Sequence, residues 1–70
     1  MWVAEFSEKQ KCFHIQELND AISKNEVSLK NFIYNNQYLP DYVIFAMSDK
    51  KDDLIKLCNK YKKQLKKIKD

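Results

Sequence analysis

Not one of the 70 residues is glycine. Loops that cradle phosphate groups need glycine where backbone amides approach the anion, so the phosphate loop of nucleotide hydrolases and the dinucleotide fingerprint are both excluded. The Asn-Gly and Asp-Gly pairs that close two-residue hairpins are excluded as well, so any hairpin here needs a longer loop. Arginine and threonine are also absent, and Pro40 is the single proline. All thirteen basic residues are therefore lysines, point charges without the planar fork that grips a guanine edge or a carboxylate in two places.

At this length the chain is read as one domain, residues 1–70. A folded monomer of 8.4 kDa exposes roughly 4,600 Å² and buries only about 60% of its unfolded surface, so the core is thin. Stability is then marginal, or supplemented by a partner. With 44% hydrophobic, 33% charged and 13% aromatic residues the chain has the composition of a folded protein rather than a disordered one. Its longest apolar run, Tyr42 to Met47, is six residues and cannot cross a bilayer, and the start shows no basic region before an apolar stretch. A cytoplasmic protein is expected, with Cys12 and Cys58 as reduced, buried thiols. Lys, Asn, Ile, Tyr and Phe supply 33 of the 70 residues, all written with AT-rich codons. That composition points to a low-GC genome and, with the small size, to a phage or mobile element.

Residues 2–6 alternate, with Trp2, Ala4 and Phe6 on one face and Val3 and Glu5 on the other, which predicts a strand. Residues 11–16 alternate again, Phe13 and Ile15 against Cys12, His14 and Gln16, and the polar stretch 7–10 between them predicts a four-residue hairpin loop on a type I turn. From Glu17 the period changes: Leu18, Ala21 and Ile22, then Leu29, Phe32 and Ile33, stand at helical spacing. Whether 17–35 is one helix or two, broken near Asn25, is open. The polar stretch around Asn35, Asn36, Gln37 and Pro40 is a connection, and the run from Tyr42 to Met47, apolar on both faces, reads as the central strand. Asp49, Asp52 and Asp53 mark a helix start near Lys50, and Leu54, Cys58, Tyr61, Leu65 and Ile68 are its apolar stripe. The expected fold is α+β: a small two-layer domain of order β-β-α-(α)-β-α, with a mainly antiparallel three-stranded sheet and helices packed on one face. The second face of the third strand is left without cover, or belongs to an interface.

Chemistry finds little purchase. Cys12 and His14 project from one strand face, yet a zinc site needs four ligands and no paired spacing supplies the others. The same pair has no orienting residue or oxyanion loop for nucleophilic catalysis. Asp52 and Asp53 diverge by about 100° on a helix and do not aim at one atom. No enzyme, metal or cofactor is expected.

Charge is uneven. Residues 1–49 carry four lysines and seven acids, whereas residues 50–70 carry nine lysines and three acids. On the last helix Lys56, Lys60, Lys63 and Lys67 fall in one sector opposite the apolar stripe. Tyr34, Tyr38 and Tyr42 cluster near the Asn-rich connection, as edge-of-core residues or as contacts, and Trp2 is a core anchor or a contact residue. A membrane role would strip the thin core of its helix. We therefore expect a small, non-catalytic protein that docks on another protein as an inhibitor or adaptor, or on itself as a homodimer, with Trp2, Tyr34, Tyr38 and the four lysines as candidate contacts. The alternative is non-specific nucleic-acid binding through the lysine-rich helix.

Overall fold

The computed structural model describes residues 1–68, with side chains through Lys66. Strands β1 (Trp2–Ser7) and β2 (Cys12–Glu17) are followed by helix α1 (Leu18–Asn35), strand β3 (Tyr42–Ser48) and helix α2 (Lys51–Ile68). The class is α+β, and both strand pairings, β1 with β2 and β1 with β3, are antiparallel. Residues 18–35 form one helix, which settles the open question at Asn25.

The period-2 alternation of β1 and β2 has the register it implies. Ala4 pairs with Ile15 and Phe6 with Phe13, so the apolar members share one face, while Glu5 pairs with His14 and Val3 with Gln16 on the other. The hairpin loop is four residues, Glu8–Lys11, one position later than the sequence indicates. Lys11 closes it at φ 55°, its N–H donating to the Ser7 carbonyl at 2.8 Å, so a lysine takes the left-handed position that glycine takes at least cost. Asn36 takes the other such position, at φ 56°, capping α1. Asp41 then ties the connection to the hairpin: its carboxylate accepts from Ser7 Oγ at 2.7 Å and from the Lys9 N–H at 2.9 Å.

Val3 and Ala21 are fully buried on the α1 side of the sheet, and the main cluster lies on the α2 side. Ala4, Leu54 and Cys58 are buried, with Trp2, Phe13, Ile15 and Ala46 packed against them, so the α2 stripe read from the sequence seats on the apolar sheet face. The small side chain of Ala4, at the centre of the sheet, lets α2 approach closely.

Three expectations are corrected. The strand order is β2-β1-β3, so Tyr42–Ser48 is an edge strand and β1 is central. β2 and β3 are thereby parallel to each other and need a helical crossover, and α1 supplies it over β1.

The helices do not share one face, and the domain has three layers where two were expected. α1 lies over the polar face, where Glu5, His14, Gln16 and Tyr42 share an open cleft with Ser23, Lys24, Val27 and Ser28 of the helix. No contact joins α1 to α2 among the described residues. The Cα envelope measures 39 × 33 × 11 Å, and the thinnest dimension is about the width of three strands. Two helices side by side would need about 13 Å or more, from axes 8–10 Å apart and Cα radii of about 2.3 Å.

The apolar ridge of α1 is also outside the core. Ala21 is its one buried residue, while Ile22, Leu29, Phe32 and Ile33 are about half exposed. The reason lies in the sheet: the face beneath α1 carries Glu5, His14 and Gln16, and an apolar ridge laid on them would strand the Glu5 carboxylate and its neighbours without partners.

Candidate interaction surface

Two open depressions flank the sheet. The first, about 490 Å³, lies between α2 and the apolar face and is lined by Phe6, Phe13, Val43, Phe45, Tyr61, Gln64 and Leu65. Its aromatic rings form a chain: Phe6 to Phe13 at 4.9 Å between centroids, Phe13 to Phe45 at 5.8 Å and Phe45 to Tyr61 at 5.8 Å, the last two edge to face. A bulge in β3 opposite Ala4 and Glu5 turns Phe45 onto this face beside Ala46. None of the groove residues was singled out as a contact from the sequence. The available signal was the third strand's unexplained second face.

The second depression is the polar cleft under α1. Glu5 is 3% exposed and accepts a hydrogen bond from Gln16 Nε2, while Gln16 Oε1 is buried without a partner. Cys12 and His14 do project from the same face, as the alternation implies. Cys12 Sγ lies 3.4 Å from Tyr42 Oη and 3.6 Å from Gln10 Oε1, and His14 packs beside the Tyr42 ring at 5.7 Å. Cys58 lies on the opposite side of the sheet, in the core. Among the described residues no group of three or more His, Cys, Asp or Glu side chains is placed to hold a metal ion.

Three groups titrate away from their ordinary ranges. The Lys9 N–H and the Ser7 hydroxyl hold the Asp41 carboxyl low. The hydrogen bond with Cys12, then burial, pushes the Tyr42 phenol up. Burial pushes the Cys58 thiol up, partly offset by the Lys62 charge.

The contact residues read from the sequence do not converge. Lys56, Lys60 and Lys63 are exposed along α2, opposite buried Leu54 and Cys58; the Lys67 side chain lies outside the described residues. Lys60 Nζ sits 5.8 Å from the Tyr61 ring centroid. Trp2 packs on the core with Lys51 Nζ 4.9 Å above its ring, so it anchors the fold. Tyr34 and Tyr38 are almost wholly exposed, at the end of α1 and in the connection after it, on elements separate from the lysine ridge.

Exposed large apolar residues lie along α1 and the connection after it, among them Ile22, Leu29, Phe32 and Ile33, and along β3. Val43 and Met47 are 63% and 58% exposed, and Ile44 and Phe45 exceed a third, so both faces of this strand are open. The strand holds no Lys, Asp, Glu or Pro, residues that blunt sheet edges, although its bulge opposite Ala4 and Glu5 interrupts the ladder. The opposite edge, β2, carries His14 and Glu17 and begins beside Lys11. The whole chain exposes 5682 Å², about 1,000 Å² more than the roughly 4,600 Å² typical of a folded monomer of this mass. Its radius of gyration is 13.7 Å, against about 11 Å for a compact chain of this length. No helix among the described residues is long and apolar enough to cross a membrane. Compared with protein-family models, with curated proteins and with solved structures, the chain matches none.

Proposed function

We propose that the chain is a non-catalytic docking protein that works by occupying a surface of another polypeptide, and that β3 with the adjoining aromatic groove is the part that docks. One observation carries this reading: an uncharged edge strand, open on both faces and broken by a single bulge, in a chain with about 1,000 Å² of surplus surface. Strand addition at such an edge supplies affinity through backbone hydrogen bonds, and side-chain pockets supply selectivity. The groove beside Phe45 and Tyr61 offers such a pocket next to the edge. An inhibitor or adaptor role in the cytoplasm fits a surface that acts by steric cover alone.

The nucleic-acid alternative rests on the exposed ridge of Lys56, Lys60 and Lys63, and the aromatic beside that ridge, Tyr61, packs its ring against Phe45 in the groove rather than standing free for base stacking. A photoreactive residue placed at Met47, and separately at Lys56, tests the two readings in the source cell. Protein adducts concentrated at position 47 support docking. Nucleic-acid adducts at position 56 with no protein adduct at position 47, together with retention lost when the ridge lysines become Glu, would overturn it.

A further inference from the structure

We infer that the polypeptide docking on this side of the molecule presents an acidic segment: a large apolar side chain seats in the aromatic groove beside Phe45 and Tyr61, and carboxylates next to it meet the lysines of α2. The inference rests on the docking reading above and names the chemistry of the partner. The groove and the lysine ridge share a wall. Stepping about 100° per residue along α2, Gln64 on the groove wall falls about 40° from Lys60, and Lys63 follows on the same exposed flank. Lys60 Nζ lies 5.8 Å from the ring centroid of Tyr61, which lines the groove, so a cation stands at the rim.

Among the described residues these charges have no counterpart. From Leu54 to Lys66 the helix carries five lysines and no Asp or Glu. The ion pairs of the described residues join Met1 to Glu17 and Lys30 to Glu26, and use none of the five. Across the groove Asp41, just ahead of β3, has both carboxylate oxygens engaged by Ser7 and Lys9. The helix dipole accounts for cations in the last turn alone, and Lys60 and Lys63 stand before it. A surface that joins an uncovered apolar groove to uncompensated cations is complementary to an anion carried beside an apolar group.

The shape of the groove selects a polypeptide as the carrier. It is open, walled by the helix and floored by the sheet, so it covers one or two side chains and leaves a free acyl chain largely in water. A nucleic acid would engage the lysines and leave the groove unfilled, since the Tyr61 ring is packed edge to face on Phe45. Carboxylates within about three positions of the anchor, roughly 10 Å of extended chain, come within reach of lysine side chains at the rim.

Fluorescence anisotropy with the intact chain tests the pairing, the probe being a labelled nine-residue peptide with Phe and Leu two positions apart at its centre and two acidic residues on each side. We expect saturable binding with a Kd below about 1 mM at low salt. Replacing the peptide's acids by Gln weakens it at least about tenfold, and replacing its Phe and Leu by Ala at least about fivefold. Lys60→Gln combined with Lys63→Gln weakens it about fivefold, and added salt removes that difference. Val43→Asp, at an exposed residue of the groove, weakens it at least about tenfold. Lys24→Gln, a charge loss on α1, leaves it unchanged. Circular dichroism confirms that each variant is folded, and the lysine pair decides the matter should Val43→Asp not fold. Absence of saturable binding, equal binding of the Gln peptide, indifference to the lysine pair, or an equal loss with Lys24→Gln each overturns the inference. So does a thymidine oligonucleotide that binds more tightly than the peptide, which assigns the lysines to nucleic acid. If the polypeptide crosslinked at position 47 makes its contact through a segment without acidic residues, this inference falls while the docking reading stands.

Discussion

Two leucines at equivalent spacing in two helices separate the observed packing from the packing that periodicity implies. Leu54 is 2% exposed and sits among Ala4, Cys58, Phe13 and Ile15, whereas Leu29 on the α1 ridge is 47% exposed. Truncating Leu54 to Ala removes fully buried methyl groups and leaves a void, and such changes cost about 2–5 kcal/mol. The cover at this site is a single helix layer that can partly collapse, so the low end, about 2.5–3 kcal/mol, is expected here. Leu29→Ala forfeits about half of a transfer term of roughly 1.5–2 kcal/mol, opens no void and gains slightly in helix propensity, for a net cost of about 0.5–0.8 kcal/mol. At roughly 0.05–0.15 kcal/mol per residue the whole domain holds about 3.5–10 kcal/mol, so Leu54→Ala removes a large share of it. Urea titration followed by the fluorescence of Trp2, the single tryptophan and a neighbour of the core, reads the difference. Chains compared at one concentration keep association from shifting the midpoint. Melting temperatures should fall by about 10–20 °C for Leu54→Ala and by about 5 °C or less for Leu29→Ala. Equal losses would refute the reasoning, because they would mean that the α1 ridge is packed as its spacing implies.

Lys11→Gly should stabilise the chain by about 1 kcal/mol, since it relieves a side chain held at φ 55°; an unchanged or lower urea midpoint contradicts that. Under native conditions a thiol reagent should label Cys12, which is partly exposed, well before Cys58, whose buried thiol is pushed up in pKa; equal rates contradict the core placement. The depressed Asp41 carboxyl contributes stability that is present above the unfolded carboxylate range near pH 3.9 and is lost as pH falls through the lower folded value. Asp41→Asn should therefore be less stable than the wild type at neutral pH, with the gap closing in acid; a gap that does not change with pH contradicts the assignment.

Much of the fold is legible in the residues because β1, β2 and α2 each put their large apolar residues mainly on one face, which leaves a clean period in the sequence. β3 is different: an uninterrupted apolar run is the mark of a strand covered on both sides, whether by its own chain or by another, and periodicity does not separate the two. That ambiguity placed Tyr42–Met47 at the centre of the sheet rather than at its edge. α1 misleads in the same way, since Ile22, Leu29, Phe32 and Ile33 form a regular ridge that the polar sheet beneath cannot accept. The aromatic groove joins Phe6, Phe13, Phe45 and Tyr61 across three strands and a helix, and the Ser7–Asp41 tie joins residues 34 apart, so neither leaves a local pattern. The candidate site was legible as an unexplained apolar face, while the residues first nominated, Tyr34 and Tyr38, lie elsewhere.

Amide hydrogen exchange of the β3 segment, with and without the polypeptide recovered by crosslinking at position 47, tests the central claim most directly. The account predicts that protection of residues 42–48 rises when that polypeptide is added, while exchange along the exposed ridge of α1 stays constant. Exchange in β3 that is indifferent to the added polypeptide, or protection that appears along α1 instead, would contradict it.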